Sequence, residues 1–152
     1  WRWDDDAGRL TEVATLPAPS AIAMSHDGQF AAVVGDGGGL ARSSDGGLTW
    51  DVVATGTSAG LVAAWVTRSG DVVAVGEAGT IVRLTDGEVA VATVGAATLR
   101  AIHIDGTDQA IAAGDDGEVL HSADGGATWV SMDLGLTQTI RGLDSVESAG
   151  HY

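Results

Sequence analysis

The chain has no cysteine, two prolines, one tyrosine and one phenylalanine in 152 residues. Without cysteine there is no disulfide, no thiolate metal site and no cysteine nucleophile, and the redox compartment stays open. Positive charge is scarce too. Seven Lys plus Arg, all of them arginine, stand against 21 Asp plus Glu, for a formal net charge of −14. A surface this negative repels phosphate backbones, so nucleic acid is not an expected partner. No apolar run approaches the ~18 residues of a membrane-spanning helix. What is plentiful is glycine, 23 residues, within a chain that is 45% hydrophobic. That composition suits one folded domain with a real core rather than a disordered tail. The sequence opens on Trp1 rather than Met, and no signal-peptide pattern is expected within it. Its compartment is not set by the sequence, and an extracellular or cell-surface location is the expectation.

The glycines fall into a repeat. SSDGGLTW (43–50) and SADGGATW (122–129) are nearly identical, with Asp45 and Asp124 79 residues apart. That is twice the ~40-residue length of a four-stranded propeller blade. A degenerate copy lies midway, LTDGEVAV (84–91), keeping Asp86 and Gly87 and losing Thr-Trp. The match extends upstream through VVGDGGGLARSSDGG (33–47), AVGEAGTIVRLTDGE (74–88) and AAGDDGEVLHSADGG (112–126). Short Val/Ile/Ala/Thr runs alternate between Gly- and Asp-rich turns, with no competing helical period. Each unit therefore reads as four strands. Strand A covers 20–25, 60–66 and 98–104, and strand B covers 29–35, 71–76 and 109–114. Strand C covers 39–43, 79–84 and 117–122, and strand D covers 49–54, 88–94 and 128–133.

The predicted fold class is all-β: a β-propeller of four-stranded antiparallel blades in a single domain, 1–152. The repeats run 20–59, 60–97 and 98–138, and a split blade joins 139–152 to 1–19 to close a four-bladed ring. The alternatives are a slice of a ring of about six to eight blades, or two chains combining into one larger ring.

The repeated aspartates read as structural. At a C–D hairpin corner, Asp45 and Asp124 accept backbone N–H bonds and have no oxygen left for catalysis. Gly46-Gly47 and Gly125-Gly126 supply positive φ, while Ser43 and Ser122 add hydroxyl bonds. Thr49 and Thr128 open strand D, and Trp50 and Trp129 pack over the corner. Asp4, Asp5 and Asp6 fall in the same kind of turn and read as solvated charge.

Those boxes resemble the Asp-box, or BNR, repeats of sialidases and other propellers. The longer stretch LRAIHIDGTDQAIAAGDDGEVLHSADGGATW (99–129) is similar to the repeat of the photosystem II assembly and stability factor family. That resemblance implies a non-enzymatic propeller that binds other proteins, usually longer than this chain and with about seven blades. The acidic, lysine-free composition is similar to that of proteins from salt-loving archaea, and a high-GC bacterium fits it as well. Sialidase activity would require three arginines on the substrate carboxylate, a Tyr-Glu pair and an Asp acid. The sole tyrosine here is Tyr152, and an Arg-Ile-Pro segment is absent.

Three further groups are candidates for contact with a ligand. Asp36, Glu77, Asp115 and Asp116 occupy equivalent B–C turns, on the rim opposite the boxes. As a ring they would hold a basic partner or, more weakly, a cation; as turn residues they are ordinary. Arg100 and Arg141 share one place in strand A, where Ile22 and Val62 stand in the other units. They would grip a carboxylate or pair with the rim's own acids. The four histidines show no zinc spacing, and His103, in strand A, is the one that would face the channel. No catalytic residue, metal or cofactor is expected. The leading function is a non-catalytic binding or scaffold module docking a protein partner on the B–C/D–A rim, through Asp36, Glu77, Asp115, Asp116, Arg100 and Arg141. The alternatives are a glycan-binding or glycan-active protein, with Trp65 as the aromatic candidate, and a structural blade-set that assembles with copies of itself or a larger protein.

Overall fold

The computed structural model describes residues 2–4, 9–11 and 18–143. Three four-stranded sheets follow one another along the chain, each an antiparallel meander with its strands in sequence order. Blade 1 is β3 (Pro19–Met24), β4 (Ala31–Gly35), β5 (Gly39–Ser43) and β6 (Asp51–Val52). Blade 2 is β7 (Leu61–Val66), β8 (Val72–Gly76), β9 (Thr80–Thr85) and β10 (Glu88–Thr93). Blade 3 is β11 (Leu99–Ile104), β12 (Ala110–Gly114), β13 (Val119–Ser122) and β14 (Val130–Ser131). Ahead of them, β1 (Arg2–Asp4) and β2 (Arg9–Thr11) form a separate two-stranded hairpin. The first strands of the blades lie side by side, with β7 between β3 and β11. This is the β-propeller fold: inner strands around an axis, sheets radiating outward.

Two cores lie between the blades. Ala32, Val34 and Leu40 of blade 1 meet Val66, Val72, Ala74, Val82 and Leu84 of blade 2. Val73, Val75 and Ile81 on the opposite face of blade 2 meet Ile102, Ile104, Ala110, Ala112 and Leu120 of blade 3. Blade 2 is covered on both faces, so β8, VVAVG, is buried at every position. A strand with two dry faces has no polar face to show, hence its continuous apolar run. Each fully buried leucine or isoleucine here contributes roughly 1.5–3 kcal/mol. Blade 1 differs. On β3 the side chains facing away from blade 2, Ile22 and Met24, are 67% and 54% exposed.

Two expectations need correction. Strand D of blades 1 and 3 is only two residues long. Thr49-Trp50 and Thr128-Trp129 precede the strand and belong to the corner, because their side chains bond back into it. Strand A also carries a register shift in every blade, at Ser20, Val62 and Arg100. A bulge adds one residue to one strand of a pair. The blade 1 counterpart of Arg100 is therefore Ser20 and not Ile22, which lies two residues on.

The closing blade assigned to 139–152 and 1–19 falls largely outside the described residues. Within it, residues 2–4 and 9–11 form the β1–β2 hairpin, so Asp4, expected in a turn, is the last residue of β1. Asp5, Asp6 and residues 144–152 lie outside the described residues, and 139–143 are not in a strand.

Candidate functional site

In an A-to-D meander running outward, the B–C and D–A loops share one rim and the A–B and C–D loops share the other. On the first rim, the three B–C connections are three-residue 3-10 turns: Asp36–Gly38, Glu77–Gly79 and Asp115–Gly117. The middle residue of each is left-handed, Gly37 at φ +63°, Ala78 at +50° and Asp116 at +57°. Asp116 thus occupies a different turn position from Asp36, Glu77 and Asp115.

Each turn is bonded to the strand entering its own blade. The N–H of Asp36 donates to the Ala18 carbonyl at 3.2 Å, that of Glu77 to Gly60 at 2.9 Å and that of Asp115 to Thr98 at 2.9 Å. The last glycine of each turn presses on the outgoing D–A loop. At Gly79 (φ +66°) a Cβ would collide with the Val94 carbonyl, so glycine is required there on two counts. The turns are rigid platforms, and their acids sit at fixed positions.

The side chains do different things. The Glu77 carboxylate accepts the Gly60 N–H at 2.9 Å while staying largely exposed. Asp36 and Asp116 are exposed. Asp115 receives the Arg100 guanidinium as a fork, Nε at 2.6 Å and Nη2 at 2.7 Å, and the Thr139 hydroxyl at 3.0 Å. These hydrogen bonds, Arg100's foremost, hold the Asp115 carboxyl below its ordinary pKa, and the charge of Arg141 adds to the effect. Arg100 is raised in turn by Asp115. The structure therefore pairs Arg100 with Asp115 in blade 3, leaves Asp36 and Glu77 on blades of their own, and places Arg141 after blade 3 in no strand, where a strand A position was expected. Among the described residues no three His, Asp or Glu side chains converge as a metal site. Among the described residues the rim is a dispersed acidic field with one internal ion pair.

On the other rim the SxDGGxTW corners form closed knots. The Ser43 hydroxyl donates to Asp45 Oδ1 at 2.8 Å and accepts the Gly47 N–H at 2.8 Å. Asp45 also takes the Thr49 N–H at 2.8 Å and the Thr49 hydroxyl at 2.6 Å. The Trp50 indole N–H donates to the Gly47 carbonyl at 3.0 Å. Blade 3 repeats every bond through Ser122, Asp124, Gly126, Thr128 and Trp129. Hydrogen bonds to the ionised form lower both aspartates to about 2, the threonine hydroxyl contributing most. Two of the three donors are hydroxyls: the serine was expected to add such a bond, whereas the threonine was read as opening strand D.

Blade 2 turns the same corner differently. Asp86 (φ +51°) and Gly87 (φ +84°) are both left-handed, in a two-residue hairpin with Thr85 paired to Glu88. That is a type I′ turn, and Asp86 serves it through its backbone.

A–B turns carry aspartate knots that the sequence reading passed over. The Ser25 hydroxyl donates to Asp27 at 2.7 Å, and the Thr107 hydroxyl donates to Asp105 at 2.8 Å. Short Ser/Thr–Asp spacings in SHDG and DGT were the available signal. His121 bonds Gln109 at 2.9 Å. Trp65 is half-buried against the blade 2–3 core and meets His103 edge-on, with ring centroids 4.4 Å apart.

No protein-family model and no curated protein sequence matches the chain. Solved structures do. "YCF48 bound to D1 peptide" superposes with a TM-score of 0.58 at 21% identity, over 75% of this chain and 39% of that one. YCF48 from Cyanidioschyzon merolae gives 0.61 at 18% identity, over 77% and 41%. The chain thus spans about two fifths of the length of each. Identities this low speak to architecture, and the chain shares with these YCF48 structures the β-propeller fold.

Proposed function

We propose that the chain is a non-catalytic binding or scaffold module that presents its B–C/D–A rim to a protein partner. The observation that carries this reading is the set of rigid 3-10 turns, which hold Asp36, Glu77 and Asp116 exposed on one rim. Arg100 is already neutralised by Asp115, and Asp36, Glu77 and Asp116 outweigh the remaining Arg141, so the free charge of these candidate residues is negative. Such a field favours a basic segment and speeds its encounter. That one of the similar structures is described as bound to a peptide supports a peptide-like partner. The corner aspartates, saturated with donors and lowered to about 2, are unsuited to general acid–base work near neutral pH. The closing of the ring by residues 139–152 and 1–19 belongs to the same proposal.

The test is titration of a labelled Gly-Arg-Gly-Arg-Gly-Arg peptide against the wild type and an Asp36→Asn, Glu77→Gln, Asp116→Asn variant. Binding to the wild type that weakens with salt, and that falls about tenfold in the variant, is the expected result. Equal binding by both proteins removes the rim from the account.

A further inference from the structure

Strand D is the outermost strand of every blade, and it is not the same strand in each. In blades 1 and 3 it is two residues long and follows a tryptophan-bearing corner. In blade 2 the two-residue hairpin pairs it from its first residue, and β10 runs for six residues in unbroken register with β9. Its sequence, EVAVAT, contains one charge and no proline. Its exposed positions include Ala90, Ala92 and Thr93, and Val91 is 46% exposed.

The hydrogen-bond parity of β10 is fixed. Val94 N–H donates to the Gly79 carbonyl at 3.0 Å, continuing the pairing of Glu88 with Thr85. In an antiparallel ladder every second residue then bonds inward, which assigns Glu88, Ala90 and Ala92 to β9. Val89, Val91 and Thr93 direct their N–H and C=O groups outward. β10 ends its sheet, and no described strand pairs with that side. Proteins ordinarily blunt such an edge with charge, proline, a bulge or shortness. Blades 1 and 3 use shortness, and blade 2 uses none of these along the middle of its strand.

We propose that the outer edge of β10 is a second docking site, which accepts an extended, positively charged segment of a partner protein as a fifth strand. Main-chain bonds at Val89, Val91 and Thr93 would supply affinity. The charge of the partner follows from what flanks the strand. Asp86 and Glu88 stand at its start, and the Glu118 carboxylate approaches Gly95 just past its end. A segment of about six residues, small or β-branched in the middle and basic at both ends, matches this edge in length and charge. A second copy of the chain is the poorer occupant, since each carries a net charge of −14. The site runs along the periphery of the ring; its Glu118 end borders the B–C/D–A rim, and Asp36, Glu77 and Asp116 are not part of it.

The experiment uses the full chain and a labelled Lys-Thr-Val-Thr-Val-Lys peptide. Three forms are titrated: unmodified, N-methylated at its second and fourth residues, and N-methylated at its third and fifth. Added as a strand, the peptide turns only one of these sets toward β10. One methylated form then loses about tenfold or more in affinity and the other keeps it. Equal loss in both, or in neither, overturns the proposal. On the protein side, Val91→Pro removes an outward N–H while leaving the inward ladder intact. It is expected to abolish binding of this peptide and to leave the Gly-Arg peptide unaffected. If Val91→Pro impairs folding, amide exchange in the wild type decides: peptide must protect Val91 and Thr93, and no protection sinks the idea. Sedimentation that shows a dimer broken by the peptide would make a second copy the occupant and refute the assignment to a partner segment.

Discussion

The corner of blade 3 and the corner of blade 2 contain the same dipeptide, Asp-Gly, and use it in opposite ways. In blade 3, Asp124 is a side-chain acceptor at the centre of a polar knot, with Ser122 buried beneath it at 2% exposure. In blade 2, Asp86 is a backbone element, chosen for its tolerance of left-handed φ. The residue matching Ser122 is Leu84, equally buried at 2%, and Val89 packs beside it in place of the tryptophan. One corner is held by hydrogen bonds and an indole, the other by an apolar plug and a tight turn. The comparison shows that the box is one of two interchangeable ways to turn strand C into strand D. The exchange has an effect elsewhere: removing the knot lets strand D pair from its first residue and lengthens the blade's outer edge.

The largest test of that contrast is Leu84→Ala, which removes the plug and should cost about 3 kcal/mol in denaturant unfolding. A loss under about 1 kcal/mol would mean that blade 2's corner is not held by packing. Ser122→Ala at the matching position should cost about 1–2 kcal/mol, since it leaves the Gly126 N–H buried without its partner. Next comes pH. Asp45 and Asp124 are depressed from 3.8 to about 2 on folding. Their contribution is therefore fully present above pH ~4 and is lost as pH falls toward about 2. An Asp45→Asn, Asp124→Asn variant should show a flatter loss of thermal stability over that window than the wild type; parallel curves would contradict the knot's role. Smallest is Asp86→Asn. Asparagine takes the left-handed turn at least as readily, so stability should stay within about 0.5 kcal/mol. A large loss would show that the Asp86 carboxylate does more than the backbone geometry requires.

Much of this was legible in the sequence. Strand positions in blade 2 and the inner strands of all three blades follow from the repeat, because each strand is bounded by Gly or Asp turns. The propeller fold follows from four such strands per unit. Other features were not visible. Strand D of blades 1 and 3 is short because Thr49 and Trp50 serve the corner, and a β-rich run such as TWDVV does not announce that. The bulge at Ser20, Val62 and Arg100 carries no glycine or turn signal, so alignment by motif misplaced its blade 1 member by two residues. At the candidate rim, the acids were legible as turn residues. The fork between Arg100 and Asp115 depends on that bulge and on the close approach of the 3-10 turn, which only coordinates reveal.

The bulge at the head of each inner strand sets one residue per blade apart from the regular ladder. Serine, valine and arginine occupy it in turn, and the strands that follow pair in the same way each time. Chemistry at that point is uncoupled from folding. A lineage, or an engineer, could rewrite the face around the axis one blade at a time, changing what the ring recognises while the sheets beneath it stay as they are.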